Sequence, residues 1–97
     1  LELGIESVDI VMMLRIQKER IDHVNLPSID EYFKHFGLTH KKLTNAKKDV
    51  LVMHPGPINR NIEIESSLAD DLDKSVINEQ VENGVAVRMA CLAVMVK

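Results

Sequence analysis

Two short blocks hold the residues whose types and spacing could do chemistry. Arg15 and Gln17 stand just past one apolar run, and His54-Pro55-Gly56-Pro57 closes a second, Val50-Leu51-Val52-Met53. Arginine presents a planar fork that matches a carboxylate, and glutamine adds a neutral donor and acceptor. Two prolines and a glycine forbid both a continued strand and an immediate helix. Their backbone carbonyls are therefore left to accept hydrogen bonds from an amine or amide. A small ligand carrying both carboxylate and amino groups fits that set. The same residues also read as a solvated strand end with idle carbonyls, and so short a pattern leaves both readings open.

The elements that would position these residues follow from periodicity. Residues 8–14 are apolar apart from Asp9 and rich in β-branched side chains, which predicts a buried parallel strand. Residues 50–54 predict a second. Parallel strands end on one edge and lie about 4.8 Å apart. Arg15 and Gln17 can then reach the volume beside Pro55, Gly56 and Pro57, at the carboxyl edge where open α/β sheets bind ligands. Between the strands, Ser28-Ile29-Asp30-Glu31 forms a capping box, predicting a helix to about Phe36 that stops at Gly37. Thr39 can cap a short second helix, through about Asn45. Residues 58–74 read as acidic loop, and Ser75 opens a long helix to about Met95. The order is βαβα, which predicts an α/β fold with a partial Rossmann-like parallel sheet and a long final helix.

That final helix is anomalous. From 85 to 96 every residue except Arg88 is apolar. A helix apolar all round must be buried on all sides, and a 97-residue chain with two strands cannot enclose it. The missing partner surface is expected on another part of a parent protein. The absence of an initiator methionine and the abrupt entry into an apolar segment also suggest a piece of a longer chain.

Composition bounds the remaining classes. The chain is 45% apolar and 28% charged, with a net charge of −3, as expected for one soluble domain. No basic stripe with interleaved aromatics points to nucleic acid. No apolar run approaches the ~20 residues of a membrane span, and no signal peptide is visible. Aromatics are limited to Tyr32, Phe33 and Phe36, so the core must be aliphatic. One cysteine, Cys91, excludes an internal disulfide and suggests a reducing cytoplasm. It reads as a small buried hydrophobe.

Three longer blocks decide between the two readings of Arg15 and Gln17. These are residues 12–20 (Met-Met-Leu-Arg-Ile-Gln-Lys-Glu-Arg), residues 52–60 (Val-Met-His-Pro-Gly-Pro-Ile-Asn-Arg) and residues 83–90 (Asn-Gly-Val-Ala-Val-Arg-Met-Ala). In order and spacing the chain resembles the C-terminal part of the catalytic chain of bacterial aspartate carbamoyltransferases, along nearly its whole length. Ornithine carbamoyltransferases share that fold. They typically carry a cysteine where this chain has Pro55, and another recognition motif in place of Arg15-Ile16-Gln17.

The resemblance implies the C-terminal part of an aspartate/ornithine-binding domain over residues 1–97. The final helix, about 75–96, would pack on the missing carbamoyl-phosphate domain. The family transfers the carbamoyl group of carbamoyl phosphate to L-aspartate, giving N-carbamoyl-L-aspartate and phosphate in pyrimidine synthesis. By resemblance, Arg15 and Gln17 bind aspartate. Gly56 and Pro57 hold the carbamoyl amide and the incoming amine through backbone carbonyls, across a cis peptide bond. Glu19 and Arg20 help close the two domains, residues 18–27 form the loop that closes over aspartate, and Glu63 orients Arg15. Gly56 departs from the leucine or alanine common at its position. Residues 1–7 carry none of these motifs. The phosphate-binding Ser-x-Arg-Thr-Arg motif and the carbonyl-polarising histidine belong to the preceding domain. No catalytic group is therefore expected within these residues, nor activity from them alone. The resemblance implies homotrimers of complete chains, no cofactor and no metal. A non-catalytic amino-acid-binding or assembly module of the same fold, and a carbamoyltransferase for another amino acid, are the competing readings.

The other polar residues have plainer expectations. His23, His35 and His40 have no spacing that collects three metal ligands. His54 reads as a structural loop histidine rather than a base. Lys41-Lys42 and Lys47-Lys48 read as a solvated face. The acidic stretch 63–73 lacks the glycine and the ligand spacing of a calcium loop.

Overall fold

A computed structural model describes residues 1–17 and 28–96. The elements are β1 (Ile10–Met12), α1 (Ile29–Phe36), α2 (His40–Leu43), β2 (Leu51–Met53), α3 (Ser66–Ala69) and α4 (Ile77–Met95). β1 and β2 pair in parallel, with Ile10 opposite Leu51, Val11 opposite Val52 and Met12 opposite Met53. The strands are shorter than the predicted 8–14 and 50–54, but bonds from Leu51 N to Asp9 O and from Met13 N to Met53 O extend the pairing at both ends. Among the described residues only one face of the sheet is buried. Val11 and Val52 are in the core, whereas Ile10, Met12 and Leu51 are exposed. The expectation of wholly buried strands is therefore corrected: the described elements cover one side, as two strands by themselves must leave the other open.

In the two-stranded sheet, β2 is hydrogen-bonded on both of its sides. Val52 N donates to Lys74 O at 2.9 Å, and Val76 N donates to Val52 O at 3.0 Å. Val52 and Ser75 thus form a parallel bridge on the side away from β1. Leu38 and Ile64, both fully buried, form another parallel bridge. The core is aliphatic: Ile5, Val11, Leu38, Leu43, Val50, Val52, Ile64, Leu68, Ala69 and Ile77.

The predicted caps are in place. Ser28 Oγ accepts from Glu31 N, and Thr39 Oγ1 accepts from Lys42 N. α1 ends at Gly37, but not through a left-handed turn, since its φ is −70°. A side chain is excluded there by proximity: a Cβ would lie 2.4 Å from Phe33 Cδ2. Two of the lysines read as a solvated face have structural partners. Lys42 Nζ donates to Lys34 O and Gly37 O, satisfying carbonyls at the end of α1. Lys47 Nζ lies 2.7 Å from Asp9 Oδ1.

Within 58–74 the sequence reading misses α3, whose Leu68 and Ala69 are buried. Four side-chain cap and pairing bonds brace that segment: Asn61 Oδ1 accepts from Ser66 N, Arg60 forks onto both Asp70 oxygens, and the same Arg60 reaches Ser66 Oγ. α4 starts two residues later than predicted, because Ser75 is spent on the bridge to Val52. Ile77 is its one buried residue, and Val85, Leu92 and Val94 are more than half exposed. Cys91 is exposed as well, contrary to the expectation of a buried thiol.

Candidate functional site

The parallel ladder fixes the geometry. Met12 and Met53 are register partners, so the chain leaves both strands at the same edge. From β1 it enters Met13-Leu14-Arg15-Ile16-Gln17, and from β2 it enters His54-Pro55-Gly56-Pro57. Arg15, Gln17 and Pro57 are exposed and Gly56 is half-buried, so a ligand can reach this edge. Glu19 and Arg20, and with them the expected closing loop 18–27, lie outside the described residues, as does His23.

The proline loop is built around His54. Its side chain is fully buried. Gly56 N–H donates to His54 Nδ1 at 2.8 Å, which makes Nδ1 an acceptor. The proton therefore resides on Nε2, which donates to Glu63 Oε1 at 2.9 Å. His54 N donates to Gln80 Oε1 on α4, anchoring the start of the loop from the other side. The Gly56–Pro57 peptide is cis, and Gly56 has φ +69°. A Cβ at Gly56 would also sit 3.2 Å from Val81 Cγ2. Glycine therefore relieves both a left-handed backbone and a tight contact.

The resemblance implies that Glu63 orients Arg15. Among the described residues its Oε1 accepts both His54 Nε2–H and Asn59 N–H, at 2.9 and 2.7 Å. Glu63 is 1% exposed, and Oε2 is buried without a hydrogen-bond partner among the described residues. This carboxylate also acts on Tyr32, whose phenol is pushed above its ordinary pKa first by burial and then by the Glu63 charge. Asn59 adds a link that the sequence reading does not single out: its Nδ2 donates to Ile16 O at 2.9 Å. Gln80 is likewise missed. No local signal marks it, since Asn78, Glu79, Glu82 and Asn83 are equally polar in the same half of α4.

His40, Glu65 and Asp71 are engaged elsewhere. His40 spans Glu65 and Asp71, at 2.8 and 3.0 Å. Its pKa is raised by the hydrogen bonds to Asp71 and Glu65. Among the described residues no group of three or more His, Cys, Asp or Glu side chains could hold a metal. A cleft lined by His40, Lys47, Lys48 and Lys74 lies at the opposite, amino end of the strands. Among the described residues no helix is long and apolar enough to cross a membrane.

Residues 1–95 match the family model described as aspartate/ornithine carbamoyltransferase, Asp/Orn binding domain. The chain is 61% identical over 92 residues to the aspartate carbamoyltransferase catalytic subunit of Rhodospirillum rubrum, covering 95% of this chain and 29% of that protein. It is 56% identical over 94 residues to the corresponding subunit of Cereibacter sphaeroides, covering 97% and 29%. Among solved structures, aspartate transcarbamoylase from Trypanosoma cruzi in complex with N-(phosphonacetyl)-L-aspartic acid superposes with a TM-score of 0.74 at 27% identity, covering 95% of this chain and 27% of that one. Ornithine carbamoyltransferase from Pyrococcus furiosus has the same fold, with a TM-score of 0.78 at 22% identity, covering 95% and 29%. The chain thus spans less than a third of the length of these relatives.

Proposed function

The chain belongs to the aspartate/ornithine carbamoyltransferase family through its Asp/Orn binding domain, and on that premise we propose that it supplies the aspartate-binding part of an aspartate carbamoyltransferase. The reaction moves the carbamoyl group of carbamoyl phosphate onto the α-amine of L-aspartate, releasing phosphate. The observation that carries this reading is the parallel register, which sends Arg15-Ile16-Gln17 and His54-Pro55-Gly56-Pro57 off one sheet edge. Aspartate rather than ornithine is favoured by Pro55 after His54, by Arg15-Ile16-Gln17, and by relatives at 56–61% identity named for aspartate.

In this reading the Arg15 guanidinium grips an aspartate carboxylate with two parallel N–H bonds, and Gln17 adds a donor beside it. The carbonyls of Gly56 and Pro57 accept from the amine and the carbamoyl amide. The amine attacks the carbamoyl carbon directly, so no protein nucleophile is required. Rate enhancement rests on positioning two substrates and on stabilising charge on oxygen. The groups for phosphate and for carbonyl polarisation belong to the rest of a complete chain. The 97 residues by themselves are inactive in this reading. Glu19 and Arg20 assist domain closure, and no cofactor or metal takes part. The exposed apolar surface of α4 packs on the carbamoyl-phosphate domain, and complete chains form cytoplasmic trimers.

The test is a graft. This segment replaces its counterpart in the Rhodospirillum rubrum catalytic subunit, and carbamoyl-aspartate formation is followed against aspartate concentration, with ornithine as the competing acceptor. Saturable aspartate-dependent activity that Arg15→Ala abolishes is the expected result. Activity whose aspartate dependence survives Arg15→Ala overturns the reading.

A further inference from the structure

A continuous series of hydrogen bonds joins the two halves of this edge. Gly56 N–H donates to His54 Nδ1 at 2.8 Å, and His54 Nε2–H donates to Glu63 Oε1 at 2.9 Å. Asn59 N–H donates to the same oxygen at 2.7 Å, and Asn59 Nδ2 donates to Ile16 O at 2.9 Å. From this series we infer that Asn59 is a positioning residue, a clip that holds Arg15-Ile16-Gln17 in register with the Gly56–Pro57 loop. The inference rests on the reading of this edge as the aspartate site.

The need for a clip follows from where the ladder stops. Among the described residues its last bond runs from Met13 N to Met53 O, and residues 14–17 are neither helix nor strand. Arg15 and Gln17 therefore sit on backbone that the sheet does not hold. Ile16 lies between them, so restraining its carbonyl restrains both neighbours. The other end of the clip is firm. Asn59 takes its position from Glu63 Oε1, and Glu63 and His54 are 1% and 0% exposed. A donor fixed to a buried pair can transmit position, whereas one on a free loop could not. The work of Asn59 is thus on aspartate capture and not on the bond-making step.

The test uses the grafted catalytic subunit. Asn59→Ala deletes the donor, and Asn59→Asp keeps the volume while leaving no N–H for Ile16 O. Both variants should raise the aspartate KM about tenfold, the loss of one well-placed hydrogen bond. Their kcat and carbamoyl phosphate KM should stay near the parent values. A purely structural role would instead move both KM values and kcat together, and that result overturns the clip. If one variant does not fold, the other carries the comparison. An unchanged aspartate KM in the Asn59 variants, while Arg15→Ala abolishes aspartate saturation, overturns the clip alone. Unchanged aspartate dependence in all three variants overturns the site reading and the clip with it.

Discussion

Glu63 Oε1 lies 2.9 Å from His54 Nε2, and neither side chain is more than 1% exposed. That oxygen also satisfies Asn59 N–H. Glu63→Ala would strand one buried donor, His54 Nε2, and one half-buried donor, Asn59 N, and an unsatisfied buried donor costs about 1–3 kcal/mol. The expected loss in the grafted subunit is about 2–5 kcal/mol, read from the urea unfolding midpoint. Glu63→Gln keeps an acceptor at the same place and should cost less than about half as much. Equal losses for the two variants would show that the acceptor is not what stabilises the loop.

Gly56 combines φ +69° with a contact that leaves 3.2 Å for any Cβ beside Val81. An L-residue in the left-handed region costs about 1–2 kcal/mol. Gly56→Ala should therefore lower stability by about 1 kcal/mol or more while leaving the backbone carbonyls available. The aspartate KM should change far less than in Arg15→Ala. The double variant Gly56→Ala/Val81→Ala should recover the part of the loss that comes from crowding. No recovery would assign the whole cost to the backbone.

The fold was legible where local chemistry decides it. Ser28 and Thr39 announce their helices because a cap needs one side chain and one nearby amide. The parallel pairing follows from two apolar runs separated by helices. The bridges Leu38–Ile64 and Val52–Ser75 were not legible, because they join segments that look like loop and are specified by tertiary packing alone. α3 escaped for the same reason: four residues carry too little periodicity, and what holds it is the burial of Leu68 and Ala69 in the core. At the candidate site, Arg15, Gln17, Gly56 and Pro57 stood out by residue type. Asn59 and Gln80 did not, since their role depends on which backbone group each amide meets. Glu63 stood out as a carboxylate, yet its partner is His54, nine residues away and unmarked by any local pattern.

The bridge from His40 to Glu65 and Asp71 makes stability depend on pH in a definite sense. His40 has its pKa raised above 6.5 by hydrogen bonds to Asp71 and Glu65. Its contribution is full below 6.5 and is lost as pH rises through the raised value. Glu65 is lowered below 4.5, first by the His40 backbone N–H, and Asp71 below 3.8, first by the His40 side chain. Their contributions are full above those ordinary values and are lost as pH falls through the lowered ones. The bridge is therefore strongest between about pH 4.5 and 6.5. Unfolding midpoints of the grafted subunit and of its His40→Gln variant should differ most in that window and converge toward pH 9. A difference that persists unchanged to pH 9 would assign the effect of His40 to packing. The side chain is nearly half exposed, so the expected difference is small and should shrink with added salt.

Leu72 and Leu92 are both well exposed, at 86% and 62%, but in different settings. Leu72 sits in a loop by itself, whereas Leu92 lies in the apolar run 85–96 of α4. A lone exposed leucine needs no partner, and a whole exposed apolar helix does. If α4 is covered by the carbamoyl-phosphate domain, Leu92, now 62% exposed, gains about 1–2 kcal/mol from burial in the complete chain. Leu92→Asp would lose that and bring a carboxylate into an apolar contact. The grafted subunit should then lose at least about 2 kcal/mol with Leu92→Asp and almost nothing with Leu72→Asp, measured by urea unfolding. Equal tolerance of both substitutions would mean that α4 remains solvent-facing in the complete chain, and the packing assigned to it would have to be withdrawn.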